Sequence, residues 1–394
     1  MRASIGGRSL LRWTYGVMNY DFIIVGAGMA GASLAYELAD HGRVCLLEAE
    51  ERPGVHATGR SAALFIPTYG GPAIRAITRA SHSFFDDPPE GFCEHRLLQQ
   101  RGCLYPARPD QIENLQAMAD AIARSGGRVS YITKAEACEM VPLLRESYLE
   151  AAIFDPDAMD IDVEALHQGY LRGARTRGID IKNLSRLVSV ERCDGAWVVP
   201  LGDTVLTAPV LINAAGAWAD EVARCCDAQP LGLQPLRRTA ILVDPPAEAE
   251  IRTWPAVIDV DEEFYFKPDA GKLLLSPADE TPDEPGDAQP EELDIAIAVD
   301  RVQKALDIDV RRVSHSWAGL RTFAPDRVPV VGFDPDVPGL FWYAGQGGYG
   351  IQTAPALSRL ASALARGEAL PDDVVAEGLS EQDISPGRFR GGQP

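Results

Sequence analysis

Residues 20–25 form an apolar run interrupted only by Asp21, the next six read Gly26-Ala27-Gly28-Met29-Ala30-Gly31, apolar residues then recur at helical spacing, and Glu48 stands 22 residues beyond Gly26. A strand running into a glycine-rich turn and a helix, with an acid at that distance, is the pattern of a dinucleotide-binding βαβ unit. Gly26 permits the tight turn, Gly28 lets the backbone approach a pyrophosphate, and Gly31 lets the helix pack against the strand. The helix N-terminus, with Met29 and Ala30 in its first turn, presents unpaired N–H groups and the positive end of its dipole to phosphates. Glu48, followed by Ala49, closes a second strand over residues 43–47. Its carboxylate can accept hydrogen bonds from ribose hydroxyls and disfavours a 2′-phosphate, so NADP is the least expected ligand.

A chain of 394 residues is long enough for two cores. Its 57 acidic against 37 basic residues, net charge −20, repel nucleic acid and anionic membranes, so neither is expected as a partner. The seven cysteines are odd in number and lack a C-x-x-C pair, which predicts neither a disulfide framework nor a zinc site and makes a reducing cytoplasm the simplest home. None of the six histidines has metal-ligand or Ser-His-Asp spacing, so no metal is expected. No apolar run approaches the ~20 residues that span a bilayer. Residues 1–17 carry Arg2, Arg8 and Arg12 and no acid, and read as a disordered extension without a cleavage site.

Further along, residues 52–63 form a polar, small-residue loop suited to run beside a long ligand. Helical spacing covers 111–124 and 162–177, and a β-pair or edge is expected near 102–105. Short strands are expected at 186–191, 196–200 and 204–206, with Asp194-Gly195 as a hairpin turn. Residues 209–213 read as a buried strand that runs into Asn213-Ala214-Ala215-Gly216-Ala217-Trp218 and a new helix. In 264–267, Tyr265 and Lys267 face one way and Phe264 and Phe266 the other. The acidic, proline-containing segment 276–292 reads as a solvated loop or, as the minority reading, a lid. Residues 340–345 form a strand followed by Gln346-Gly347-Gly348-Tyr349-Gly350 and a helix, so a second helix N-terminus is aimed at something negative. One large ligand touched at both ends explains both units. FAD meets that description, with its ADP half on the first unit and the carbonyl edge of its ring system at the second.

These pieces, in this order, resemble the D-amino-acid oxidase superfamily of FAD-dependent oxidoreductases over about residues 21–386. The stretches GRSAA (59–63), GFCEH (91–95), EALHQGYLRG (164–173), LINAAGAW (211–218), FYFKPDAG (264–271), WAGLR (317–321) and GGYGIQT (347–353) are similar to bacterial D-arginine dehydrogenase within it. The resemblance implies an α/β fold in which a Rossmann-like FAD-binding domain interleaves with a substrate domain on a mixed, largely antiparallel β-sheet. It implies FAD segments at 18–85, 151–230 and 321–386, and substrate segments at 86–150 and 231–320.

The resemblance also implies roles. Arg238, Arg321 and Tyr265 would hold a substrate carboxylate, the backbone at Gly348 would accept from the amine, and Tyr69 would close over the site. Ser61 and Ala62 would lie near the reactive edge of the flavin, and Arg60, Ala215, Gly216, Trp218 and Arg321 would also contact the cofactor. The loop Gly347, Gly348, Tyr349, Gly350, Ile351, Gln352 and Thr353 completes the expected cofactor contacts. Gly319 stands near where some relatives carry a flavin-attaching cysteine, and His56 is matched by a histidine in an enzyme that binds FAD without a covalent bond, so noncovalent FAD is expected. The pocket residues Leu64, Ile66, Cys103, Ala256 and Ile258 depart from the arginine-specific pattern: Leu64 replaces a histidine, Ile66 a threonine, Cys103 a glutamate and Ala256 a methionine. The expected reaction is oxidative deamination of a D-amino acid with a neutral, apolar side chain, by hydride transfer from Cα to flavin N5. A quinone or oxygen would reoxidise the flavin. An oxidase of another amine or N-alkyl amino acid, an NAD-dependent dehydrogenase, and a nonenzymatic flavin-binding protein are the alternatives.

Overall fold

The computed structural model describes residues 16–390. Of the expected extension, residues 1–15 lie outside the described residues, whereas 16 and 17 belong to a strand, Gly16–Asn19, paired in parallel with Thr204–Ala208.

A six-stranded sheet runs in the order Asp180–Lys182, Val44–Leu47, Phe22–Val25, Val210–Asn213, Leu340–Ala344 and Val330–Phe333. It is parallel except for the last strand. All four residues of Phe22–Val25 and of Val44–Leu47 are buried, as strands covered on both faces require. Alternation decides which layer each side chain enters. Phe22, Ile24 and Leu46 pack with Leu34, Leu38, Tyr170, Leu357 and Leu360 of the helices Met29–Leu38, Val163–Thr176 and Ala354–Ala365. Ile23, Val25 and Leu47 face the opposite core with Trp197 and Leu206 of a four-stranded sheet. In that sheet Asp194 and Gly195, both at positive φ (50° and 85°), make the expected hairpin turn between Glu191–Cys193 and Ala196–Leu201.

A nine-stranded mixed sheet carries the second half of the molecule. Gln234–Val243 pairs antiparallel with Val313–Phe323, with Arg238 opposite Gly319 and Leu236 opposite Arg321. Arg238 and Arg321 are therefore diagonal neighbours on one face of the sheet. Tyr265–Asp269 and Lys272–Ser276 join the same sheet through a turn in which Ala270 and Gly271 have φ of 47° and 79°. Phe264 and Phe266 face the core while Tyr265 faces the opposite side, as the alternation predicts.

Three expectations are corrected. Residues 186–190 form no strand; the short strand is Glu191–Cys193. The backbone before it is tied instead to the end of Val44–Leu47, through Leu184 N–H to Glu50 O (3.0 Å) and Ser185 N–H to Glu48 O (2.7 Å). The segment 276–292 is docked rather than solvated. Asp279 accepts from Thr239 N–H (2.7 Å) and hydroxyl (3.0 Å), and a short strand, Thr281–Pro282, pairs with Gln234–Val243. Finally, Ala151–Asp155 pairs with Cys103–Ala107 in the nine-stranded sheet, so a domain boundary at 151 would cut a strand pair.

Candidate cofactor and substrate cleft

A single cleft of about 470 Å³ runs from the glycine turn at Gly26 to the arginines of the nine-stranded sheet. At the first end the glycines leave no room for a side chain. A Cβ on Gly26 (φ +100°) would stand 2.6 Å from Ala214 O, one on Gly31 would stand 1.8 Å from Gly26 O, and one on Gly28 would stand 3.2 Å from the Thr58 hydroxyl. Gly31 does not line the cleft; its role is to let helix Met29–Leu38 close on the strand. Glu48 is buried, its carboxylate accepting from Ala27 N–H and Glu50 N–H, both at 3.0 Å. Thr58 accepts from Met29 N–H at 2.9 Å, and His167 Nε2 bonds to Ala27 O at 2.9 Å. Burial holds the His167 imidazole below its usual pKa, so it is neutral and donates to that carbonyl. The amides of Gly28 and Ala30 make no hydrogen bond within the described residues and line the cleft. Sequence reasoning missed Thr58 and His167; a buried histidine on a helix 140 residues from its partner has no local signal.

At the middle, Ala49, Ser61, Ala62, Ala215, Gly216 and Trp218 line the cleft, and His56 packs at a tilt against Trp218 with ring centroids 4.8 Å apart. His56 Nδ1 is buried without a hydrogen-bond partner, the kind of orphaned group a bound ligand satisfies. Arg60 also lines the cleft, but its guanidinium is spent on protein: it donates to Ala288 O (2.8 Å) and Ala318 O (2.9 Å) and pairs with Asp287. The guanidinium is an internal fastener, while Arg60 stands on the wall of the cleft.

The second glycine loop corrects another expectation. The helix that follows begins at Ala354, and its first turn has no amide to spare. Ala354 N–H bonds to Ile351 O, Pro355 has none, Ala356 N–H is taken by the Ser81 hydroxyl (3.1 Å), and Leu357 N–H by Thr353 O. The free donors are in the loop itself. The amides of Gly348, Gly350 and Ile351 make no hydrogen bond within the described residues, and these residues, with Gly347, line the cleft. Tyr349, Gln352 and Thr353 do not line it. Gln352 accepts from Ile66 N–H and donates to Thr78, Thr353 donates to Tyr349 O, and Tyr349 packs on Tyr69 and Phe323.

At the far end Arg238, Tyr265 and Arg321 converge. They differ in what already holds them. Arg238 donates to Asp279 O (2.7 Å) and reaches Glu280 (3.4 Å), which also pairs with Arg327 (2.8 Å). Within the described residues no hydrogen bond or ion pair engages the Arg321 guanidinium, and a Cβ on Gly348 would stand 3.0 Å from its Nη1. Burial and the neighbouring Arg321 lower the Arg238 pKa. Burial pushes the Tyr265 phenol up, but Arg321 and Arg238 outweigh it and hold the phenol below its ordinary value. Tyr69 donates to Glu262 at 3.2 Å and does not line the cleft; burial, then Glu262, pushes its phenol up. Leu64, Ile66, Cys103, Ala256 and Ile258 come together as expected, in one apolar cluster with Tyr69. None of them lines the cleft. Among the described residues no group of three or more His, Cys, Asp or Glu could hold a metal, and no helix is long and apolar enough to cross a membrane.

Comparison with known proteins agrees with this architecture. Human mitochondrial dimethylglycine dehydrogenase is 26% identical over 369 residues, 84% of this chain and 40% of that protein. The chain thus spans about two-fifths of that relative's length. Glycine oxidase from Geobacillus kaustophilus superposes with a TM-score of 0.79 at 22% identity, covering 89% of this chain and 95% of that one. L-proline dehydrogenase from P. horikoshii superposes at 0.80 and 19% identity, covering 94% and 98%. The glycine cradle, the buried acid at its side and the unsatisfied amides at both glycine loops fit FAD. A family model described as DAO, FAD dependent oxidoreductase, matches residues 21–364, and the chain belongs to this family of FAD-dependent oxidoreductases.

Proposed function

We propose that the protein oxidises the amine-bearing carbon of an amino acid, and that its substrate is a D-amino acid with a neutral, apolar side chain. The observation that carries this reading is Arg321: a guanidinium without an internal partner, on the same cleft as the dinucleotide-binding turn. A guanidinium binds a carboxylate through two parallel hydrogen bonds, and the Tyr265 phenol adds an aimed, uncharged donor. Arg238, already bonded to Asp279 and Glu280, acts as the second and weaker carboxylate partner. The backbone of Gly348 orients the amine, and Tyr69 excludes water from the mouth.

Bound noncovalently, FAD supplies the acceptor for the two electrons and hydrogen lost from Cα. Residues at the turn from Gly26, with Glu48, would hold its adenosine half. The amides of Gly348, Gly350 and Ile351 would stabilise negative charge on its reduced ring. The imino acid then hydrolyses to a 2-oxo acid and ammonia. Two units, one on each large sheet, meet at the cleft, and the chemistry takes place where they meet. The free cysteines support a cytoplasmic location.

The apolar side chain is inferred from Leu64, Ile66, Cys103, Ala256 and Ile258, which gather in one apolar cluster with Tyr69 and supply no carboxylate for a cationic side chain. A second reading is oxidation of an N-alkyl amino acid, favoured by relatives named for dimethylglycine and L-proline. Anaerobic mixing of the flavoprotein with D-, L- and N-methyl amino acids, following flavin bleaching, separates the two. Bleaching is expected with D-leucine or D-methionine before D-arginine. Equal bleaching by the corresponding decarboxylated amines would remove the carboxylate clamp and the proposal with it.

A further inference from the structure

The acidic segment whose sequence reads as a solvated loop or a lid is fastened at three points. Arg237, buried, pairs with Asp283 (3.4 Å) and Glu291 (2.8 Å) at the two ends of the segment, and with Asp294 (3.1 Å) beyond it. Asp283 N–H bonds to Pro235 O at 3.1 Å. Between those ends Arg60 takes hold. Its Nε donates to Val55 O (3.1 Å), its Nη1 to Ala288 O (2.8 Å) and Ala318 O (2.9 Å), and its Nη2 pairs with Asp287. One guanidinium therefore joins three separate pieces of chain: the loop after Glu48, the strand Val313–Phe323, and the segment around 287. Gly319 makes this possible, since a Cβ there would stand 3.2 Å from Arg60 Cβ. Ala288 is buried with Ala318 and Leu320 in a small apolar cluster, and Gly286, Ala288 and Leu320 all line the cofactor cleft.

We propose that residues 283–291 are a strap across the cofactor cleft, buckled by Arg60, and that opening this strap limits how fast FAD enters and leaves. The inference rests on FAD occupying the cleft and adds an element of the binding site. A solvated loop of this composition would have no reason to place a buried alanine on the cleft wall or to take up an arginine that the neighbouring Asp287, 64% exposed, cannot satisfy alone. Carbonyl acceptors hold the buckle as much as charge does, so it is directional as well as electrostatic.

The test uses the holoenzyme. FAD release after dilution is followed by the recovery of free-flavin fluorescence, and amide hydrogen exchange is measured over 283–291 in the same samples. The variants are Arg60→Gln and Asp287→Lys; the second acts at an exposed side chain and sets a like charge against Arg60. Both should release FAD roughly tenfold faster, as loss of a charge-assisted hydrogen bond implies. Exchange should rise in the strap and stay at the parent level in helix Met29–Leu38. A release rate within about twofold of the parent, whether or not the strap exchanges faster, overturns the proposal. A parent chain that takes up no FAD on reconstitution would overturn the cofactor reading as well.

Discussion

The two ends of the cleft are built from different materials. At the dinucleotide end the wall is main chain: glycines at a turn, free amides of Gly28 and Ala30, and one carboxylate, Glu48, itself held by two backbone N–H groups. At the arginine end long side chains converge from Gln234–Val243, Tyr265–Asp269 and Val313–Phe323 and meet the backbone of the second glycine loop at Gly348. A backbone wall has one shape and tolerates no added atoms. A side-chain wall tolerates substitution but depends on which charges already neutralise one another.

The sharpest way to break this comparison is a matched pair of glycine substitutions. Gly31→Val should abolish FAD binding and most of the folded yield, because even its Cβ would stand 1.8 Å from a carbonyl oxygen that cannot move without moving the strand. Gly348→Ala puts its Cβ 3.0 Å from the tip of a flexible arginine. That variant should keep its flavin and show a raised KM. Visible absorbance of the purified proteins reads the first effect and steady-state kinetics the second; equal flavin loss in both would erase the distinction.

A smaller effect separates the two arginines. Arg321→Met removes the guanidinium that has no internal partner, and truncating one member of a desolvated ion pair costs about 2–5 kcal/mol, or roughly 30- to 5,000-fold in KM. Arg238→Met should cost less, about tenfold, because Arg238 is already engaged by Asp279 and Glu280 and Arg327 still neutralises Glu280 when it is gone. FAD content should be unchanged in both. The reverse order of KM effects would make Arg238 the main anchor.

This difference in materials also explains what the sequence made legible. Glycines and a single acid at fixed spacing encode a backbone site locally, so the turn at 26–31 and Glu48 could be read in order. The pairing of Arg238 with Glu280, the neutral His167 that steadies Ala27, and the capture of 283–291 by Arg60 join residues 42, 140 and more than 220 positions apart, and no local pattern carries them. The strand expected from 186 begins only at Glu191, and the residues just before the run, Leu184 and Ser185, are bonded to Glu50 and Glu48, again a pairing of distant residues. The second helix dipole was misplaced because the amide that Ser81 consumes cannot be seen from the helix sequence alone.

Protonation sharpens the comparison at the arginine end. Tyr265 must be a neutral phenol to donate to a carboxylate, and the two arginines hold its pKa below the ordinary value of 10.0. Affinity for amino acids should therefore fall as pH rises through that lowered value, giving an alkaline limb in kcat/KM at lower pH than an unperturbed tyrosine allows. Tyr265→Phe should lose a few-fold in kcat/KM near neutral pH and also lose that limb. An unchanged alkaline limb in the variant would assign it to the substrate amine.

The smallest effect probes whether the dinucleotide end depends on the first turn of its helix alone. Glu37 lies near the other end of Met29–Leu38, outside the cleft, and burial, opposed by Arg359, Arg177 and Arg366, pushes its carboxyl up to about 7. A folded-state pKa raised above the unfolded value contributes stability that is present below the unfolded pKa and is lost as pH rises through the folded one. Between about pH 4.5 and 7 the acid becomes progressively costly to the fold, and above 7 the whole cost is present. Glu37→Gln should leave thermal stability near pH 4.5 almost unchanged and raise it at pH 8 by about 1–2 kcal/mol, with the exposed part of the side chain and its three arginines limiting the gain. FAD affinity should stay at the parent value, because the amides that face the cleft belong to the opposite turn. Thermal melts at the two pH values, with flavin content measured in each sample, check both parts. A loss of FAD affinity in Glu37→Gln would mean that the whole helix, and not its N-terminal turn, holds the cofactor.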